Sequence, residues 1–344
     1  MREFKIGDRV IGLDTPPFII AEAGINHNGD YNKAIQLVDS AKENGADCIK
    51  FQYHITSAEL IKADIRPGYL SQETLWDITK RIELSADENH KIQEYCKKIG
   101  IMYMSTPFSR EAADILNAMN VGAFKIGSGE CHNIPLLEYI AKMSRPMILS
   151  TGMNDIESIK RSVHTIQKHD CPLMLMHCTS IYPTPYDKVH LGAITQLQET
   201  FELPIGFSDH SENIYASLAS IALGACVIEK HFTVSSEWPG PDIGFSMDSE
   251  ELSELVSGCK AVYAALGGKK ENIPEEQPIK NFAFASVVAI KEIKAGELFS
   301  KENIWVKKPG TGEIEAKDFN SVIGKTASTN IDIDQQITHK MIET

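Results

Sequence analysis

The sequence predicts an α/β fold, a (β/α)8 TIM barrel followed by a small β-rich module, and three observations carry that reading. Eight short runs rich in apolar and β-branched residues recur between Phe18 and Thr233, each bounded by turn residues. Amphipathic segments with helical spacing separate most of them, so the order is strand then helix, repeated. Past residue 268 the pattern changes to short alternating runs broken by Gly, Pro and Asn.

In order, the strand runs are "FIIAEAG" from Phe18, "DCIKFQ" from Asp47, "MYMSTPF" from Met102, "AFKIGSGE" from Ala123, "MILSTGM" from Met147, "LMLMHCTS" from Leu173, "PIGFSDH" from Pro204 and "CVIEKHFT" from Cys226. The helical segments include "NKAIQLVDSAKENG", "SREAADILNAMN", "IPLLEYIAKM", "DIESIKRSVHTIQKH" and "NIYASLASIALG". Strand starts roughly 20 to 30 residues apart suit a barrel, and the wider gap after the second strand predicts an excursion, "YHITSAELIKADIRPGYLSQETLWDITKRIEL". A doubly wound sheet gives the same alternation, but eight units without a G-x-G-x-x-G turn favour closure. The expected boundaries are a barrel over 1–268, a Gly-, Pro- and charge-rich linker over 269–283, and the module over 284–344. The Met-rich "MYMS" and "LMLMH" read as core filler.

Composition limits the function. The 344 residues are 42% hydrophobic and 24% charged, ordinary for a globular chain, and no stretch is apolar enough to span a bilayer. "MREFKIGDRV" lacks an apolar signal core, so a cytoplasmic location is expected. A net charge of −13 without any basic run argues against nucleic acid. Seven cysteines with no C-x-x-C pair read as reduced packing residues.

Barrel enzymes carry their chemistry at the C-terminal ends of the strands, and here those ends are polar. They offer Glu22, Lys50, Gln52, Ser105, Thr106, Lys125, Ser128, Glu130, Ser150, Thr151, His177, Ser180, Asp209, His210, Glu229, Lys230 and His231. A lone strand-end histidine is ordinarily a hydrogen-bonded core residue. His210 and His231 stand on neighbouring strands, however, and that favours a shared divalent cation, Mn²⁺ or Mg²⁺ with substrate oxygens, over structural zinc. Lys50 and Lys125 could be structural ion-pair partners; with the hydroxyls of Thr106, Ser128 and Ser150 they favour a phosphate or carboxylate cradle. "NHNG" after the first strand is either a simple turn or a substrate contact. His54, His90, His164, His169 and His190 read as solvated.

Taken together, "AEAGINHNG", "KFQ", "STPFS", "KIGSGE", "STGM", "CTSIYPTPY", "GFSDHS", "EKHFT", "PGPD" and the closing "FAFASVVA" to "KKPGTG" resemble the sialic acid synthase family along nearly the whole chain. The resemblance implies a TIM barrel with an antifreeze-like SAF domain, a domain-swapped homodimer, and condensation of phosphoenolpyruvate with an N-acylated mannosamine-type sugar. It implies a divalent metal on His210 and His231, and phosphoenolpyruvate on Lys50, Thr106, Lys125, Ser128 and Ser150. Gln52, Tyr182 and Asp242 would meet the sugar, Glu22 and Glu130 would be acid/base or metal-facing groups, and Phe284 would lie near the closing interface. Three positions depart from the family pattern: Tyr69 and Ser180 where relatives carry asparagine, and Lys308 in place of an arginine expected to face the N-acyl group. These leave N-acetylmannosamine as the leading sugar and a 2,4-diacetamido-6-deoxy sugar, giving legionaminic acid, as the second. A carbohydrate- or ice-binding protein with an inert barrel, and a metal-dependent aldolase, are the alternatives from other classes.

Overall fold

The computed structural model describes residues 4–68 and 72–343. Internal contacts divide the chain into two compact units, Met1–Gly267 and Gly268–Thr344.

The first unit begins with an antiparallel ribbon, β1 (Phe4–Ile6) and β2 (Arg9–Ile11), turned at Gly7 with φ +56°. Eight strands follow: β3 (Phe18–Gly24), β4 (Cys48–Tyr53), β5 (Met102–Pro107), β6 (Phe124–Ile126), β7 (Met147–Ser150), β8 (Leu173–His177), β9 (Ile205–Asp209) and β10 (Val227–His231). They are parallel, lie in chain order and close where β10 pairs with β3. Each coincides with a run read from the sequence. Helices such as Tyr31–Glu43, Ala86–Ile99, Ile156–Gln167 and Ser249–Ala265 form the outer layer. Helix Ala86–Ile99 shows why the segments stop where they do: Ser85 and Glu88 make a reciprocal capping box at its start, and Gly100 ends it at φ +75°.

Along each strand, side chains alternate between the helix layer and the barrel interior. The outward set, including Ile19, Ala21, Ile49, Phe51, Leu149 and Ile228, meets the helices in one large core. Inward, Ile20, Cys48, Met104, Ala123, Ile148, Met176 and Val227 form a second apolar cluster, to which the ribbon adds Phe4, Ile6 and Ile11. Two residues further along the same inward faces stand Glu22, Lys50, Thr106, Lys125, Ser150, Cys178 and Glu229. The interior is thus apolar at its foot and polar at its head.

The excursion after β4 holds two helices, Thr56–Glu59 and Leu75–Ile82, among its described residues; Tyr69 lies outside them. "NHNG" is a turn: Asn28 and Gly29 have φ of +50° and +79°, and a Cβ on Gly29 would lie 2.3 Å from the Arg81 carbonyl oxygen. Glycine is required there by both conformation and space.

In the second unit the segment expected to be a linker contains a short helix, Gln277–Ala283. Beyond it β11 (Ser286–Ala289) pairs antiparallel with β12 (Ile304–Lys307). Its own core comprises Val287, Ala289, Ile293, Phe299, Ile304, Ile314, Val322, Ala327, Ile331 and Ile337. No described helix is long and apolar enough to cross a membrane, and all seven cysteines are buried and unbridged.

Candidate active site

The polar head of the barrel encloses a cavity of about 370 Å³ lined from every barrel strand or the loop that follows it. Register brings neighbours level: Glu22 pairs with Lys50 on one side and His231 on the other, and Gln52 with Thr106. Of the residues singled out from sequence, Glu22, Lys50, Gln52, Thr106, Lys125, Ser128, Ser150, Ser180, Tyr182, His210 and His231 line this one cavity.

At its base two lysines face two glutamates. Lys50 Nζ lies 2.7 Å from Glu22 Oε2 and 3.7 Å from Glu229 Oε1, and Lys125 Nζ lies 3.3 Å from Glu229 Oε1. Lys50 also donates to Thr106 Oγ1 at 3.3 Å and Lys125 to Ser150 Oγ at 2.8 Å. Ion pairing and an anion cradle are therefore not exclusive, since the same ammonium groups do the first and point their hydroxyl partners at the space for the second. Burial opposes charge on all four. Lys50 nonetheless stays above the usual lysine value, because two carboxylates hold its proton, while burial leaves Lys125 below it. Glu229 is held low against burial by Lys125 and Lys50; burial and the Glu229 charge push Glu22 up. For Glu22 and Lys50 the two directions disagree about an ion pair, and the 2.7 Å separation decides for one.

The two imidazoles stand with centroids 5.6 Å apart. Burial lowers the pKa of His210 to about 4 and that of His231 well below the histidine range, so both are neutral. His210 Nδ1 lies 2.8 Å from the Thr179 carbonyl oxygen, which fixes it as the donor and leaves Nε2 as the acceptor, 3.4 Å from the Ser208 hydroxyl. His231 Nδ1 is buried with no hydrogen-bond partner and lies 3.7 Å from Asp242 Oδ2. Glu229 Oε2 is likewise buried and unpaired. Burial, with the Glu22 charge second, raises Asp242 to about 7. Unpartnered buried polar atoms cost about 1–3 kcal/mol each unless a ligand completes them, so their presence in one cavity marks a binding site. Neutral imidazole nitrogens with nearby carboxylates fit a divalent cation. No cluster of three or more such side chains is poised to ligate together among the described residues, so water and substrate oxygens would have to complete the sphere.

Glu130 is not part of this lining. It closes the 3₁₀ turn Ser128–Glu130, and its carboxylate accepts a hydrogen bond from Asn133 Nδ2 at the start of the next helix. Phe284 and Lys308 belong to the second unit, where both are exposed. His54 is not solvated as expected: the loop after β4 folds it between Glu59 and Gln52. Sequence reasoning named Glu229 only among the polar strand ends and did not name Ser208. Each precedes a predicted metal-facing histidine by two residues, and period two puts such a pair on one face.

Lys230, between Glu229 and His231, faces the other way. Its ammonium donates to the Ser211 carbonyl and lies 3.5 Å from Asp209 Oδ2, and that carboxylate accepts from the Ser211 hydroxyl at Oδ1 and the Ser217 hydroxyl at Oδ2. That network ties together the ends of β9 and β10, the strands that carry the two histidines.

Comparison with known proteins finds relatives along nearly the whole chain. The family model described as the NeuB family matches residues 37–271, and that of the SAF domain matches residues 284–343. An uncharacterized protein of Methanocaldococcus jannaschii is 45% identical over 94% of this chain and 94% of its own length. An N,N'-diacetyllegionaminic acid synthase of Campylobacter jejuni is 39% identical over 93% of this chain and 98% of its own. Human N-acetylneuraminate-9-phosphate synthase is 33% identical, covering 97% and 95%. Among solved structures, an N-acetylneuraminic acid synthetase from Leptospira borgpetersenii superposes with a TM-score of 0.73 at 34% identity, over 81% of this chain and 95% of that one.

Proposed function

Because the chain belongs to the NeuB family of synthases and ends in an SAF domain, we propose that it joins phosphoenolpyruvate to an N-acylated mannosamine-type sugar. The products are a nonulosonic acid and inorganic phosphate. The observation that carries this reading is the single cavity holding Lys50, Lys125, Thr106, Ser128 and Ser150 beside two neutral imidazoles, within an otherwise acidic chain.

Carbon 3 of phosphoenolpyruvate attacks the open-chain aldehyde carbon, forming the new C–C bond as the enol π-pair is used. The cation left at carbon 2 is trapped by water, and phosphate departs with the bridging oxygen as the keto group forms. Lys50 and Lys125 hold the phosphate and carboxylate charges throughout, with Ser128 and Ser150 as donors. Glu22 lines the cavity with its pKa raised by burial, which suits it to take and return a proton; Glu130, turned to Asn133, is less suited. A divalent cation, Mn²⁺ or Mg²⁺, would be held by His210 and His231, and when bound it supplies positive charge beside the aldehyde oxygen. It also answers the balance at the cavity base, where two lysines already face two glutamates and an added dianion calls for further positive charge.

N-acetylmannosamine is the first sugar to test. The 39% identity to a diacetyllegionaminic acid synthase supports 2,4-diacetamido-2,4,6-trideoxymannose as a second reading. The protein acts as a homodimer in the cytoplasm. Phosphate release that requires both phosphoenolpyruvate and one of these sugars supports the synthase, with label from the bridging oxygen recovered in phosphate. Pyruvate release from a nonulosonic acid without phosphate would indicate an aldolase instead.

A further inference from the structure

His54 stands in the loop after β4, at the entrance to the excursion. Its Nε2 is 3.1 Å from Gln52 Oε1 and its Nδ1 is 2.8 Å from Glu59 Oε1. The ring lies flat on Phe108, with centroids 4.4 Å apart and planes 9° from parallel. The His54 and Glu59 side chains are only 12% and 6% exposed. Gln52 and Phe108 both line the cavity, and Gln52 Nε2 donates to Glu22 Oε1 at 3.3 Å.

These contacts determine which atoms carry hydrogen. A carboxylate only accepts, so the end of the Gln52 amide that faces Glu22 is its NH₂, and its carbonyl oxygen faces His54. His54 must then donate through Nε2. Its other nitrogen lies 2.8 Å from Glu59 Oε1, and that carboxylate orients the ring as a second shell orients a functional imidazole. The amide is thus held from both ends, and without the Nε2–H donor only the 3.3 Å contact to Glu22 would keep it from turning.

We infer that His54 is a positioning residue, held by Glu59 and Phe108, that locks the Gln52 amide so it presents N–H donors to the cavity. This rests on the synthase reading, under which Gln52 meets a sugar oxygen. It adds that recognition by Gln52 is set from outside the barrel by a Glu59–His54–Gln52 chain whose first member belongs to the helix Thr56–Glu59.

The test is a double-mutant cycle on the full-length protein with His54→Leu, Gln52→Ala and the double variant. His54→Leu is expected to lower kcat/KM for the amino sugar about tenfold while the phosphoenolpyruvate KM stays within about twofold. In the Gln52→Ala background the same change is expected to have no further effect, because His54 acts only through that amide. His54→Gln, which keeps a donor near the Nε2 position, is expected to restore most of the loss. Equal penalties in both backgrounds, or a loss confined to phosphoenolpyruvate, would overturn the inference. A second arm needs no turnover: in ¹⁵N-histidine-labelled protein, the His54 Nε2 should be protonated, and its signal should move in Gln52→Ala. An unprotonated Nε2 sinks the inference even in an active enzyme. Failure of the wild type to turn over any N-acyl sugar sinks the synthase reading and leaves the nitrogen signal to judge His54.

Discussion

Three ionisable residues in a row, Glu229, Lys230 and His231, are each less than a tenth exposed at the end of β10. Period two separates their duties: Glu229 and His231 face the cavity, and Lys230 faces the helix layer. The proposed cation site gives a direct expectation for the third. Mn²⁺ should raise the thermal midpoint of the wild type, by a stabilisation of about 2.7 kcal/mol at a hundredfold excess over Kd, and should leave that of His231→Ala unmoved. Differential scanning with and without the ion checks this, and an equal shift in the variant would remove His231 from the site. His27 gives a pH dependence. It is 1% exposed, its Nδ1 accepts from the Gly29 amide, and burial lowers its pKa to about 4. The unfolded chain, near 6.5, therefore binds this proton first as pH falls. The stability from neutral His27 is complete above about 6.5 and declines toward pH 4, by about 3 kcal/mol in all. Urea midpoints of wild type and His27→Gln between pH 7 and 4.5 should converge toward acid; parallel curves would count against a neutral buried ring.

Elements explain what could be read early and what could not. All eight barrel strands were legible, because each is an apolar run of strand length ending in turn residues, and the helices between them keep a 3.6 period. That His210, His231 and both lysines would gather at one cavity followed from their strand-end places. The ribbon β1–β2 was missed: three-residue strands are too short for a periodic signal, although Gly7-Asp8 between two apolar pairs marks the turn. Glu130 falls outside the cavity lining for a related reason. It lies past the end of β6 in a 3₁₀ turn, where strand alternation no longer says where a side chain goes. His54 was set aside as a loop residue, since nothing local announces a partner five residues on. The loop after β7 shows how tightly such ends are specified. The Gly152 amide donates to Ser128 Oγ at 3.0 Å, and a Cβ there would lie 2.5 Å from Ser180 Oγ and 2.8 Å from Ser128 Oγ. Gly152→Ala should displace both hydroxyls, raising the phosphoenolpyruvate KM about tenfold, or roughly 1.4 kcal/mol, with little change in the unfolding midpoint. An unchanged KM would show that Ser128 does not hold that substrate.

At the scale of the molecule, a net charge of −13 surrounds a site built on buried lysines, so anion binding depends on local groups and not on the overall field. Ile273, Ile279, Phe282 and Phe284, each more than half exposed, gather apolar surface within one stretch of twelve residues. Such surface is unusual on a solitary soluble chain and supports self-association. Light scattering should give twice the 38.1 kDa chain mass, and Phe282→Asp should shift the population toward the single chain. A monomeric wild type at micromolar concentration would end the dimer proposal.

The ribbon at the barrel's foot carries one more consequence. With Phe4, Ile6 and Ile11 stopping the lower end, the interior is a blind well whose one described doorway is at the strand ends. Under the proposed reaction two substrates and two products would share that doorway, so a molecule seated on the deeper layer of Lys50 and Lys125 would have to enter before, and leave after, whatever rested above it on Gln52, His210 and His231.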